Sequence, residues 1–259
     1  MKRVYISAWG EPQDVAECRT APDLPAPGAG EVLFSVIAFP INPADLMFCR
    51  GRYRLKPPLP ATPGAECVGR VEAVGAGVTR VKPGDLVINL MRENWASHRL
   101  VRDVEVLRIP AGLDLAQAAM IRINPPTAEL MLTDIVALKE GDWIIQNAAN
   151  SAVGRLVIEL ARRRGLRSIA VTRRDDIFGE LEALGADACL LDGEDLAERA
   201  QAASGGAPIR LGLDAVSGAA CARLAMAVAE DGVLCNYGSL TGEDARIHTS
   251  DTIYRGVSI

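Results

Sequence analysis

Three stretches of this chain carry side chains whose types and spacing could do chemistry. The first is the turn Asn147-Ala148-Ala149-Asn150-Ser151. It lies between an apolar run, Trp143–Gln146, and a stretch with Val153, Leu156, Val157, Leu160 and Ala161 at helical spacing. A turn that opens a helix presents unpaired amides to an anion, so the pyrophosphate of a dinucleotide would fit there. The three-glycine fingerprint G-x-G-x-x-G is not met: only Gly154 survives, and a purely structural strand-turn-helix stays open as the alternative. The second stretch shifts that balance. Arg173 and Arg174 stand at the end of the next strand, Ser168–Thr172, where an NAD site would carry an acid. Two guanidinium groups suit a 2'-phosphate, so NADPH is expected over NADH. Asp175 and Asp176 follow and are expected to begin the next helix. The third stretch is Cys49-Arg50-Gly51-Arg52-Tyr53-Arg54. A phenol, with an unperturbed pKa of about 10, is neutral at pH 7 and can donate a hydrogen bond or pass a proton. A ring packed in a loop with its hydroxyl in water is the alternative for Tyr53.

The elements that must position these groups change character along the chain. Residues 1 to about 120 read as β-rich, with strands expected at Val4–Ser7, Glu31–Ala38, Cys67–Val74 and Asp85–Leu90, separated by Gly/Pro turns. Many short strands of this kind suggest a partly closed barrel. Beyond that point, strands expected at 143–146, 168–172, 188–191, 211–216 and 233–237 alternate with helical stretches. That is the pattern of a parallel sheet covered on both faces, so the fold class is α/β. The change falls near Leu115–Ala119, ahead of a helix containing Pro126–Leu132, and sets domains at 1–118 and 119–259. The helix after the turn is expected to bury one face and to end at Arg162-Arg163-Arg164-Gly165, cations followed by a glycine cap.

With 259 residues, 49% hydrophobic and 24% charged, the chain has the composition of a globular protein, and a net charge of -5 argues against nucleic-acid or membrane partners. No stretch has the length of a membrane-spanning helix, and the N-terminus MKRVYISAWG lacks the apolar core of a signal peptide. Six scattered cysteines without a C-x-x-C pair fit reduced thiols, and a cytoplasmic location is expected.

Several strings resemble the medium-chain dehydrogenase/reductase superfamily: GEV at 30–32, INPAD at 41–45, PGAECVGRVEAVG at 63–75, KPGD at 82–85 and INPPTA at 123–128. Within it, INPAD…RGRY…KPPLPATPG and GDWIIQNAANSAVG are similar to the mitochondrial-type trans-2-enoyl-CoA/ACP reductases. The resemblance runs over nearly the whole chain. It implies a GroES-like β-barrel catalytic domain followed by a Rossmann doubly wound parallel sheet that binds NADPH. It also implies reduction of the 2,3-double bond of enoyl thioesters, carried on coenzyme A or an acyl carrier protein.

Carried over by position, Tyr53 is the catalytic residue and Asn124 a nicotinamide-side contact, with Thr127 beside it. Asn150, Ser151, Ala152 and Val153 match the pyrophosphate turn, Arg173, Arg174 and Asp175 the adenosine-phosphate pocket, and Tyr237, Gly238, Ser239 and Leu240 the nicotinamide loop. Asn124 could equally cap its helix. Zinc-bearing relatives have ligands where Asn42 and Ala65 stand here, so no metal is expected. Arg50, Arg52, Arg54 and Lys56 around Tyr53 are either a solvated loop or a basic rim for the phosphates of the substrate carrier. Relatives continue beyond the point corresponding to Ile259, so the Rossmann part is expected to be incomplete. Residues 253–259 are then the start of a strand with an open apolar edge. A homodimer is a further implication of the family. Other departures are Ala65, Arg122 and the short segment Met91–Trp95. A zinc-free quinone or enone reductase, and a non-catalytic NADPH-binding relative, stay open as alternatives.

Overall fold

Short β-rich segments broken by Gly and Pro build the first of two units in the computed structural model, which describes residues 1–259 as Met1–Ile123 and Asn124–Ile259. In the first unit, β1 (Lys2–Ile6), α1 (Pro12–Val15) and β2 (Ala16–Thr20) form an antiparallel ribbon with a helical turn at its bend. They are followed by β3 (Glu31–Ala38), α2 (Pro43–Cys49), β4 (Val68–Val74), β5 (Leu86–Asn89), β6 (His98–Arg102), β7 (Val106–Arg108) and α3 (Leu115–Ala118). The five later strands make one antiparallel sheet in the order β6-β3-β4-β5-β7. Val32 and Phe34 of β3 point inward and pack with Val71, Val87, Val101 and Val106. β6 and β7 are its edges, and the sheet does not close between them. β1 begins two residues before the expected strand, and β2, β6 and β7 were not expected: each mixes charged residues into a short run, as edge strands do.

The second unit alternates helix and strand throughout: α4 (Asn124–Thr133), β8 (Trp143–Gln146), α5 (Ala152–Arg163), β9 (Arg167–Thr172), α6 (Phe178–Leu184), β10 (Ala188–Leu191), α7 (Leu196–Ala203), β11 (Ile209–Asp214), α8 (Gly218–Ala227), β12 (Val233–Asn236) and α9 (Thr249–Ile253). All five strands are parallel, in the order β10-β9-β8-β11-β12. Crossing helices cover both faces, and the three central strands β9, β8 and β11 bury apolar side chains on two sides.

Four expectations are corrected here. α5 buries more than one stripe: Val157 and Ala161 pack with Ile144, Leu211 and Leu213, while Ile158 joins a separate cluster with Ala170 and Leu181. Asp175 and Asp176 do not begin α6; they form the turn before it, where the Phe178 amide donates to the Asp175 carbonyl at 3.0 Å. β11 stops at Asp214, so Ala215 and Val216 belong to the loop that follows. Residues 253–259 are only in part the start of a strand: Ile253 closes α9, while Ser258 bridges Val233 of β12 in parallel and Val257 is buried in the core.

Candidate active site

Parallel strands send their carboxyl ends to one edge of the sheet, and the loops there carry most of the expected site residues of the second unit. Asn150, Ser151, Ala152 and Val153 follow β8, Arg173, Arg174 and Asp175 follow β9, and Tyr237, Gly238, Ser239 and Leu240 follow β12. Ser151 caps α5, its Oγ accepting the Gly154 amide at 3.1 Å. The turn before it is tight, with Ala148 in the left-handed region at φ 47°. Ala152 and Val153 occupy the first two helical positions, whose amides have no partner within the helix. A methyl on Gly154 would meet the carbonyl oxygens of Ala149 and Ala148 at 2.6 and 2.8 Å, so the retained glycine is required by contact. Arg155 locks the turn from behind, donating to the Asn150 carbonyl at 3.1 Å while paired with Glu180 of α6.

The hydroxyl of Tyr237 is buried, and the Ser151 side chain is the polar group beside it. Burial pushes its pKa up to about 12, which keeps it a donor at neutral pH. A buried phenol beside the unpaired amides of Ala152 and Val153 fits a phosphate- or ribose-bearing ligand. Arg173 is exposed with no hydrogen bond or ion pair, whereas Arg174 is already engaged with Asp176 at 3.1 Å. Asn124 and Thr127 lie in the first turn of α4. The helix begins at Asn124 itself, so this buried residue is the first helical position and not a cap ahead of it.

Beneath the loops lies a group that the sequence did not single out. Asp214, fully buried at the end of β11, accepts from Asn147 Nδ2, from Asn236 Nδ2 at 2.6 Å and from the amides of Val216 and Ser217 at 3.1 and 3.2 Å. Asn147 returns its own oxygen to the Ala215 amide at 2.8 Å. One carboxylate therefore joins the ends of β8, β11 and β12. The Tyr237 amide bonds the Asp214 carbonyl at 2.9 Å, so the loop 237–240 hangs from the same residue. Ser217 is held at φ 65° and ψ -166°, a conformation costly for any residue but glycine, and its Oγ donates to the Gly238 carbonyl at 3.0 Å. An acid at a strand end reads as a turn residue, and only the pairing of distant strands reveals its role.

In the first unit Tyr53 sits in a loop secured on three sides. Arg50 makes a two-pronged pair with Glu11, Gly51 seats against the Trp9 ring, and the Arg52 amide donates to the Met47 carbonyl at 2.9 Å. Arg50 is thus committed within the protein, while Arg52, Arg54 and Lys56 are exposed. Arg92 lies over the Tyr53 ring, 4.8 Å from its centroid. Asp45 and Glu66 are fully buried nearby in sequence-distant pieces of the same unit, and burial raises both carboxyls above the usual carboxylate range. Glu66 is met by the Asn42 side-chain amide at 3.0 Å and the Ile123 amide at 3.1 Å, and the Arg122 guanidinium donates to the Ala65 carbonyl. The two positions noted for lacking zinc ligands are therefore occupied by an internal hydrogen-bond network.

Comparison with known proteins places this geometry. The model of the alcohol dehydrogenase GroES-like domain matches residues 28–105, and that of the zinc-binding dehydrogenases residues 152–259. The mitochondrial enoyl-[acyl-carrier-protein] reductase of Caenorhabditis elegans is 34% identical over 100% of this chain and 76% of its own length. The Etr1p/NADP/crotonyl-CoA complex superposes with a TM-score of 0.91 at 28% identity, over 99% of this chain and 80% of that one. A Bacillus thuringiensis protein assigned as an NADPH:quinone reductase gives 0.92 at 30% identity, over 100% and 78%. The cytoplasmic expectation is overturned. The nematode relative and its bovine and human counterparts are mitochondrial enzymes, not cytoplasmic ones. Scattered reduced cysteines report a reducing compartment, which the cytoplasm and the mitochondrial matrix share, so they could not separate the two.

Proposed function

The chain belongs to the medium-chain dehydrogenase/reductase superfamily, in the branch of the mitochondrial-type enoyl thioester reductases, and from that premise we propose that it reduces trans-2-enoyl thioesters with NADPH. The observation that carries the reading is the match of nearly the whole fold to Etr1p in its complex with NADP and crotonyl-CoA. The substrate's C2=C3 bond becomes a single bond, with one hydride gained at C3 and one proton at C2.

NADPH, when bound, supplies the hydride. Ala152 and Val153 would hold its pyrophosphate through free amides at the start of α5, with Asn150 and Ser151 shaping the turn. Arg173 would take the 2'-phosphate, with Arg174 and Asp175 bounding the pocket. Tyr237, Gly238, Ser239 and Leu240, together with Asn124 and Thr127, would contact the nicotinamide half. Tyr53 would offer its phenol proton to the oxygen or α-carbon on which negative charge gathers as the double bond is lost.

Arg52, Arg54 and Lys56, exposed around Tyr53, fit the anionic carrier of the acyl chain, whether coenzyme A or a phosphopantetheine-bearing acidic protein. Arg52→Glu then raises KM for an enoyl-CoA at low salt but not for a truncated enoyl thioester; equal effects on both would remove the rim from the reading.

The fold match to the Bacillus NADPH:quinone reductase supports a second reading, a quinone or enone reductase. Oxidation of NADPH with trans-2-hexenoyl-CoA, with and without Tyr53→Phe, separates the two. Turnover that falls steeply in the variant supports the thioester reductase. Undiminished turnover, or preference for a quinone, supports the second. NADPH binding without turnover of either substrate would leave only a dinucleotide-binding protein.

A further inference from the structure

Arg92 is a cation that the reaction outlined above does not use. It lies in the short segment before Trp95, and its guanidinium is 4.8 Å from the centre of the Tyr53 ring and 5.8 Å from that of Phe48. The carboxylate of Asp45, fully buried on α2, approaches it to 3.7 Å. Neither Arg92 Nη2 nor Asp45 Oδ1 has a hydrogen-bond partner, so two rings and one charge hold this guanidinium. Phe48 in turn meets Trp9 edge-on at 5.9 Å, and Trp9 seats Gly51, two residues before Tyr53. Trp9, Phe48, Arg92 and Tyr53 therefore form one contiguous cluster of rings and cation around which the loop 50–53 turns.

Stability alone would not choose this arrangement. An ion pair between a half-buried guanidinium and a fully buried carboxylate, with a polar atom unpaired on each, is easily bettered by apolar side chains of similar size. A planar cation on a ring face, anchored by a buried carboxylate, does serve a phenol whose oxygen must meet developing negative charge. Its charge is in place beforehand and needs no reorganisation when the proton moves. The planar guanidinium also fixes the tilt of the ring in a way an ammonium does not.

We propose that Arg92 is a positioning residue for Tyr53, holding the ring in one orientation and setting a positive charge beside it while the phenol handles the proton. The proposal rests on the reading of Tyr53 given above. Arg92 acts through Tyr53 and not on the substrate, which gives it a distinctive kinetic signature.

The test is a double-mutant cycle of Arg92→Met and Tyr53→Phe, with trans-2-hexenoyl-CoA as substrate. Arg92→Met is expected to lower kcat about tenfold. KM and NADPH affinity should stay within about twofold, and Arg92→Lys should recover part of the loss. In the Tyr53→Phe background, Arg92→Met should change kcat by less than about twofold. Equal losses in both backgrounds, unchanged kcat, or a rise in KM alone would overturn the proposal while leaving the reading of Tyr53 intact. Full kcat in Tyr53→Phe would overturn both. Near-ultraviolet circular dichroism reads the same point without turnover: the difference between wild type and Tyr53→Phe should collapse in the Arg92→Met background, and a difference that persists counts against it. If Arg92→Met does not fold, Arg92→Lys completes the cycle.

Discussion

Replacing Asp214 tests whether one buried carboxylate holds the carboxyl edge of the second unit. Its Oδ1 accepts from Asn147 Nδ2, Val216 N and Ser217 N, and its Oδ2 from Asn236 Nδ2 and, shared, Ser217 N. Asp214→Ala leaves the donors of Asn147, Val216 and Ser217 without an acceptor. Asn236 keeps Ser217 Oγ and the Gly238 carbonyl at 3.0 and 3.2 Å. At about 1–3 kcal/mol for each stranded buried donor, offset by release of a desolvated carboxylate, the expected loss is about 3–5 kcal/mol. That is a large part of the total for a domain, typically about 5–15 kcal/mol. Asp214→Asn keeps one acceptor oxygen and turns an amide group against a donor, for about 2–3 kcal/mol. Urea unfolding followed by far-ultraviolet circular dichroism gives the stability, and NADPH titration should show about tenfold weaker binding because Asn236, next to Tyr237, loses its carboxylate acceptor. An Asp214→Asn protein within about 0.5 kcal/mol of wild type would refute the reasoning. So would Asn147→Ala and Asp214→Ala effects that simply add, since residues sharing one hydrogen-bond network should couple.

Arg173→Ala should weaken NADPH about 10- to 100-fold and leave NADH within about twofold, because only the 2'-phosphate loses a charged partner. Arg174→Ala should matter less, its guanidinium being committed to Asp176; parallel titrations with both nucleotides decide, and equal losses for the two would refute the 2'-phosphate assignment. At Ser217, Ser217→Gly relieves the strained backbone while losing the Oγ bonds, and Ser217→Ala loses the bonds alone. The alanine variant should therefore unfold at lower urea, by about 1–2 kcal/mol, and the reverse order would show that the backbone is not strained. Burial holds the folded-state pKa of Asp45 above its unfolded value of about 4, so its favourable contribution is complete below that pH and is lost as pH rises through the folded value. Asp45→Asn cannot titrate, and its Tm should gain on wild type as pH rises from about 4 through the folded value; a difference that stays constant as pH rises above about 4 would contradict the shift.

What could be read in the sequence was what local pattern determines. Glu31–Ala38, Trp143–Gln146 and Ala188–Leu191 are apolar or alternating runs between turn residues, and they are strands with those bounds. Arg163-Arg164-Gly165 ends α5 because glycine alone takes the left-handed φ of 68° at that point without strain. Strands at edges were missed where charge masks the alternation, as in Ala16–Thr20, whose side chains are mostly exposed. Groups whose significance lies in distant partners were missed as well. Arg92 lies 39 residues from the ring it covers, and Asp214 lies 67 from Asn147. No window of neighbouring residues contains either pair. The turn, the two arginines and the phenol of Tyr53 stood out by residue type and spacing, and the resemblance gave them their expected roles.

The single tight glycine of the nucleotide turn has a bearing on how such sites are found. A glycine fingerprint is a shorthand for places where a methyl group has no room. In this chain that space is denied at Gly154, where the carbonyls of Ala148 and Ala149 close in, while Ala148 itself takes the left-handed backbone that a glycine would usually supply. The letters of the motif are thus interchangeable wherever the backbone can absorb a methyl, and fixed where it cannot. A search that scored clearance at the start of the helix, in place of counting glycines, would recover this turn and others whose spelling has drifted in the same way.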